Sequence, residues 1–139
     1  MIEREVVMAK VKVLNLLAAF ISVTILVSAA GAAEKVPRIY AEMVKAENPR
    51  AACGEEVMFV GQINVQGTDP RNPVEVQYKW IRSDNANTPV KTLTVTKPGR
   101  NEVKTSWKIK KSYKGWQQLE VISPVSALSK QAHFTMTCP

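Results

Sequence analysis

Histidine is nearly missing: His133 is the one imidazole among 139 residues. Copper and zinc centres draw on two or more imidazoles or free thiolates, and the chain holds only two cysteines, Cys53 and Cys138. A lone histidine on the wet face of a strand reads as a surface residue, so neither a metal nor any other cofactor is expected. No segment resembles a nucleophile elbow or an oxyanion loop, and an enzyme is not expected. Helical periodicity of useful length is missing after Ala33, which leaves strands as the material of the fold. Acidic residues are in deficit, 12 Asp and Glu against 19 Lys and Arg, for a net charge of +7. Such an excess favours anionic partners.

What is present begins with a targeting signal. Lys10 and Lys12 precede an uncharged stretch, residues 13–33, that reads VLNLLAAFISVTILVSAAGAA. Basic, then apolar, then small residues is the order that admits a signal peptide to the translocon and fits the peptidase. Cleavage is expected after Ala33, with Gly31 and Ala33 as the small pair, or after Ala32. An uncleaved membrane anchor is the alternative, because about 20 apolar residues also span a bilayer; the closing run of Ala and Gly favours the cleaved signal. No cysteine ends the apolar stretch, so lipid anchoring is not indicated. Met8 is a cleaner start than Met1, since MIEREVV is acidic as often as basic. Residues 34–139 then form one secreted or periplasmic domain. Its net charge is one unit below that of the chain, because Arg4, Lys10, Lys12, Glu3 and Glu5 belong to the leader. In an oxidising compartment an even pair of cysteines reads as a disulfide, Cys53 to Cys138.

Period-two alternation recurs through that domain. Val57, Phe59, Gly61, Ile63 and Val65 share one face, as do Val74, Val76, Tyr78 and Trp80. Val103, Thr105, Trp107 and Ile109 repeat the pattern, and Ala132, Phe134, Met136 and Cys138 close it. Each set is a strand with one buried and one wet side. Clusters of Gly, Pro, Asn and Ser separate them at 67–73, 83–89, 97–101, 114–115 and 123–129, where turns need special φ values or a missing donor. Weaker strands at 39–46, 90–96 and 116–122 bring the total to about seven, the pattern of an antiparallel immunoglobulin-like or fibronectin-type β-sandwich. Cys138 shares its face with Phe134 and Met136, while Cys53 just precedes the second strand. The disulfide is therefore expected to join the start of the second strand to the end of the last. Trp80, Trp107 and Trp116 are expected in or near the core.

The order of motifs resembles a group of small bacterial secreted immunoglobulin-like domains with a terminal cysteine pair. It runs Cys53, then VMFVGQI ending at Ile63, VQYKWIRSD from Val76 to Asp84, Trp107, Gly115 with Trp116, Ser123 with Pro124, and AHFTMTC from Ala132 to Cys138. These motifs cover nearly the whole domain. They are structural, so the resemblance implies fold and compartment and leaves ligand and partner open.

Candidate binding residues lie on the surface. Lys104, Lys108 and Lys110 fall on one outward face of a strand, with Lys111, Tyr113, Lys114 and Trp116 around the following turn. Such a stripe suits the phosphate or carboxylate groups of an envelope polysaccharide, a lipid head group or an acidic protein; its plainer reading is solubility and protection of a strand edge. Nucleic acid is not an expected partner of an exported protein, and membrane contact is expected only through an uncleaved leader. The loop from Ser83 to Asn87, with Asp84 and Asn85, reads as a hairpin turn or, more sharply, as a recognition loop. The expected function is an exported, non-catalytic binding or adhesion-type module. A structural subunit of an envelope or filament assembly, and a small secreted enzyme inhibitor, are the alternatives.

Overall fold

A computed structural model describes residues 36–139; the expected leader, its cleavage site and the choice of start codon lie outside the described residues. The described chain forms β1 (Arg38–Ala46), β2 (Arg50–Ala52), β3 (Glu56–Gln66), β4 (Val74–Arg82), β5 (Lys91–Val95), β6 (Gly99–Lys108), β7 (Tyr113–Ser123), β8 (Ala127–Leu128) and β9 (Ala132–Thr137). They make two sheets, one in the order β1-β3-β6 and one in the order β2-β9-β7-β4-β5, with β8 beside β7. All pairings among named strands are antiparallel except β2 with β9, which is parallel. The all-β, two-sheet sandwich is the expected architecture, and the seven expected strands correspond to β1, β3, β4, β5, β6, β7 and β9.

The alternation builds the core as anticipated. Val57, Phe59, Ile63 and Val65 of β3 are buried with Val76, Tyr78 and Trp80 of β4, Val103 and Trp107 of β6, and Phe134 and Met136 of β9. Burying each large side chain contributes roughly 1.5–3 kcal/mol. Phe59 and Phe134 meet edge to face at 5.6 Å between centroids, and Trp107 meets Phe134 at 5.2 Å. These rings come from both sheets and clamp one end of the sandwich. Gly61 lets the sheets approach, for a Cβ there would stand 3.0 Å from both Leu119 Cδ2 and Trp80 Cη2.

The disulfide joins Cys53 and Cys138 with Cα atoms 4.6 Å apart, closing a separation of 85 residues. Cys53 lies in the β2–β3 turn, ahead of the second long strand, and Cys138 follows β9 and packs partly on the core.

Four features differ from expectation. Trp116 is not a core residue: on β7 the inward positions are Gly115, Gln117, Leu119 and Val121, so Trp116 points outward, opposite His133 of β9. The cluster at 97–101 is only partly a turn, because β6 begins at Gly99 and pairs with Val65. Strand β7 starts at Tyr113 and absorbs the expected turn at Lys114 and Gly115. Ser83 to Asn87 is not a tight hairpin, since β4 ends at Arg82 and β5 begins only at Lys91.

Candidate functional site

The connection after β4 and the turn after β6 converge on a cleft of about 410 Å3, lined by Asp84, Trp107, Lys108, Ile109, Lys110, Lys111 and Tyr113. Five of the expected candidates, Asp84, Lys108, Lys110, Lys111 and Tyr113, thus meet in one place. The aromatic clamp forms its base: Tyr113 lies 5.4 Å from Trp107 and 6.1 Å from Phe134 between ring centroids.

Arg82, the last residue of β4, organises the wall. Its guanidinium carbon sits 3.9 Å above the centroid of Trp107. Its Nε and Nη2 donate to the two carboxylate oxygens of Asp84 at 3.1 and 2.5 Å. Stacking and a two-point carboxylate grip at once are what a planar guanidinium, unlike an ammonium, provides. Asp84 Oδ1 also accepts the Ala86 N–H at 3.1 Å, and Asn85 takes the left-handed conformation at φ 57° so that its N–H reaches the Arg82 carbonyl. Partial desolvation pushes the Asp84 carboxyl upward, but the hydrogen bonds from Arg82 and Ala86 and the Arg82 charge outweigh it, and its pKa falls below the ordinary value.

The loop is tied to β7 as well. Ser83 Oγ lies 3.1 Å from the Tyr113 hydroxyl and accepts the Trp116 N–H at 3.1 Å, while the Ser83 N–H donates to the Trp116 carbonyl at 3.0 Å. Glycine at 115 is required by this closeness: a Cβ would lie 2.4 Å from Tyr113 Cε1 and 2.6 Å from Ser83 Oγ. The disulfide braces the opposite wall. Cys53 Sγ, which has no proton to donate, rests 3.9 Å from the Lys110 carbonyl. Ser112 Oγ accepts the Cys138 N–H at 2.8 Å and lies 3.3 Å from the Cys138 carbonyl.

The remaining candidates go elsewhere. Lys104 sits mid-strand on β6, its ammonium 3.1 Å from Glu102 Oε1. The Glu102 hydrogen bond, with the charges of Glu102 and Glu47, raises its pKa, so the continuous positive stripe read from the sequence is broken by acids. Glu56 stands across from Lys108 on β3. Lys110 lies beyond the end of β6, not on it. Lys114 lines a separate depression of about 490 Å3 with Arg50, Thr135 and Thr137. Trp116 is on the outer side of the larger sheet, and Asn85 shapes the loop without lining the cleft. Arg82, which joins Trp107 to Asp84, is the residue of this arrangement that the sequence did not single out; its signal was the R-S-D triplet that ends the tryptophan-bearing strand.

No protein-family model and no curated protein matches the sequence. In structure the chain is similar to the CARDB domain of the PF1109 protein from Pyrococcus furiosus, crystallised in complex with di-metal ions, at TM-score 0.58 and 7% identity over 74% of this chain and 96% of that one. The solution structure of the same domain is similar at TM-score 0.56 and 9% identity, over 73% and 95% of the two chains. A part of the alkylpurine DNA glycosylase AlkC from Pseudomonas fluorescens, bound to DNA containing an abasic site analog, is similar at TM-score 0.53 and 8% identity; the likeness covers 72% of this chain and 30% of that one. The described residues therefore share the β-sandwich of CARDB domains, a likeness of fold at an identity that brings no ligand with it.

Proposed function

We propose that the chain is an exported, non-catalytic binding module of the immunoglobulin-like type, which holds an anionic polysaccharide of the cell envelope in the cleft beyond β6. The composition of that cleft carries the reading. Lys108, Lys110 and Lys111 line it together with a single carboxylate, Asp84, which Arg82 already neutralises. Uronate or phosphate groups on a glycan match this excess of ammonium groups, and a polymer engages several at once. The leader-like N-terminus and a disulfide, a bond that persists in oxidising compartments, support export.

Assembly by strand addition is the rival reading, because β6 is an edge of its sheet. Lys104 and Lys108 put charges along that edge, a device that deters pairing with another chain, and we favour binding for that reason.

The test is retention on an immobilised anionic polysaccharide. The protein should be retained at low salt and released as salt shortens the electrostatic range to about 10 Å near 0.1 M. Changing Lys108, Lys110 and Lys111 together to Glu should abolish retention, whereas Lys104→Glu alone should leave most of it. Equal retention of the triple variant would sink the proposal.

A further inference from the structure

The outer face of the larger sheet gathers residues that the basic cleft does not use. On β2, β7 and β9 the inward positions include Ala51, Gly115, Gln117, Phe134 and Met136, so Arg50, Lys114, Trp116, His133, Thr135 and Thr137 point outward. Register sets them in rows. Arg50 pairs with Thr135 and Thr135 with Lys114, so two cations flank one hydroxyl across three adjacent strands. Trp116 and His133 form the next row. Beside the small side chain of Ala52 lies a depression of about 490 Å3, with Arg50, Lys114, Thr135 and Thr137 in its lining.

None of the residues that line it is acidic. No salt bridge among the described residues engages Arg50 or Lys114. The two acids nearest Arg50 in sequence act elsewhere: Glu55 Oε2 accepts the Ala52 N–H at 2.8 Å, and the charge of Glu47 is felt by Lys104. Two cations without counter-charges on one face attract an anion.

The spacing selects its kind. Strands lie roughly 4.8 Å apart, so the backbones of Arg50 and Lys114 stand roughly 10 Å apart with Thr135 midway. Both side chains are long enough to converge over that hydroxyl. A guanidinium fork, a hydroxyl and an ammonium from three strands match the three terminal oxygens of a phosphate or sulfate monoester, whereas a carboxylate offers two. Trp116 follows Lys114 by two residues, roughly 7 Å along β7, within reach of the group that carries the ester. It is half-buried, whereas Trp80 and Trp107 are only 3% and 6% exposed. An indole on a wet face offers a ring an apolar surface to lie against.

We propose that this face is a second binding site, for the phosphate or sulfate monoester of a sugar, with the oxyanion on Arg50, Thr135 and Lys114 and the sugar ring against Trp116. The site stands apart from the basic cleft and does not rest on the reading given above.

The experiment follows the Trp116 indole N–H resonance, assigned through Trp116→Phe, in 15N-labelled protein titrated with glucose 6-phosphate, glucose 6-sulfate and glucose at constant ionic strength. At least one ester should shift the resonance to saturation, the better one naming the oxyanion, while glucose leaves it in place. Arg50→Gln with Lys114→Gln should melt like the parent, since both residues are exposed, and bind the ester at least about tenfold more weakly. Thr135→Val should weaken binding in the same sense. The triple lysine variant should keep the shift. If it keeps the shift and is also retained like the parent on the anionic column, the basic-cleft reading fails and this site stands. A Trp116 signal indifferent to both esters, one that glucose or sodium chloride moves equally, or one that responds unchanged in the Arg50 and Lys114 double variant overturns the site.

Discussion

Opening the Cys53–Cys138 bond, by reduction or by the paired changes Cys53→Ser and Cys138→Ser, returns to the unfolded chain the freedom of an 85-residue loop. The chain-entropy expression puts that at about 15 cal/mol/K, or about 4.5 kcal/mol at 25 °C. On the folded side the loss is small, because Cys53 is exposed and Cys138 only partly buried, so no large void is left. Phe59, Trp107 and Phe134 still clamp the two sheets. A domain of about 100 residues shifts by roughly 4 °C per kcal/mol, so the melting temperature should fall by about 15–20 °C. Calorimetry with and without reductant reads this directly, and the transition should stay cooperative. Amide exchange should quicken at Cys138, whose N–H donates to Ser112 Oγ beside the bridge. A melting temperature that does not move, or a reduced chain with no cooperative transition, would refute the entropic account.

Gly115→Ala forces a methyl to within 2.4 Å of the Tyr113 ring, and overpacking of this kind costs about 1–3 kcal/mol; urea unfolding should show a lower midpoint at unchanged slope, and an unchanged midpoint would contradict the geometry. Asp84 has its pKa lowered in the fold, so its contribution is complete above the unfolded value of about 4 and fades as pH falls through the lower folded value. Because the pair with Arg82 is partly exposed, the effect on global stability should be small, while the protection of the Ala86 amide relative to its intrinsic exchange rate should fall at acid pH in the parent and be reduced at every pH in Asp84→Asn.

Regular alternation made β3, β4, β6 and β9 legible, since nothing interrupts their period of two. In β1 the register shifts between Glu42 and Lys45, so that Ile39 and Ala41 and then Val44 and Ala46 pack on the core. A bulge changes parity in mid-strand, and a strict alternation test then sees only a weak strand. The short β2 and β8 left no pattern: three and two residues are held by pairing with β9 and β7 rather than by their own sequence. Trp116 misled because tryptophan usually signals burial, whereas the parity of Leu119 and Val121 already placed it outside. The basic cleft was half legible. Its lysines stood in sequence order, and Glu102 and Asp84 each lie only two residues from the cation they hold, but the seat of Arg82 over Trp107 arises from packing of β4 against β6 across the sheets.

The long span between the cysteines also sets a clock. Synthesis at about 5–20 residues per second separates the appearance of Cys53 from that of Cys138 by about 4–17 s. Through that interval Cys53 is a lone thiol, open to capture by a small-molecule thiol or by an oxidoreductase as a mixed disulfide. Its proper partner arrives only after the residues that form every strand from β3 to β9. Closure of the native bond therefore waits until the residues of all those strands have been made.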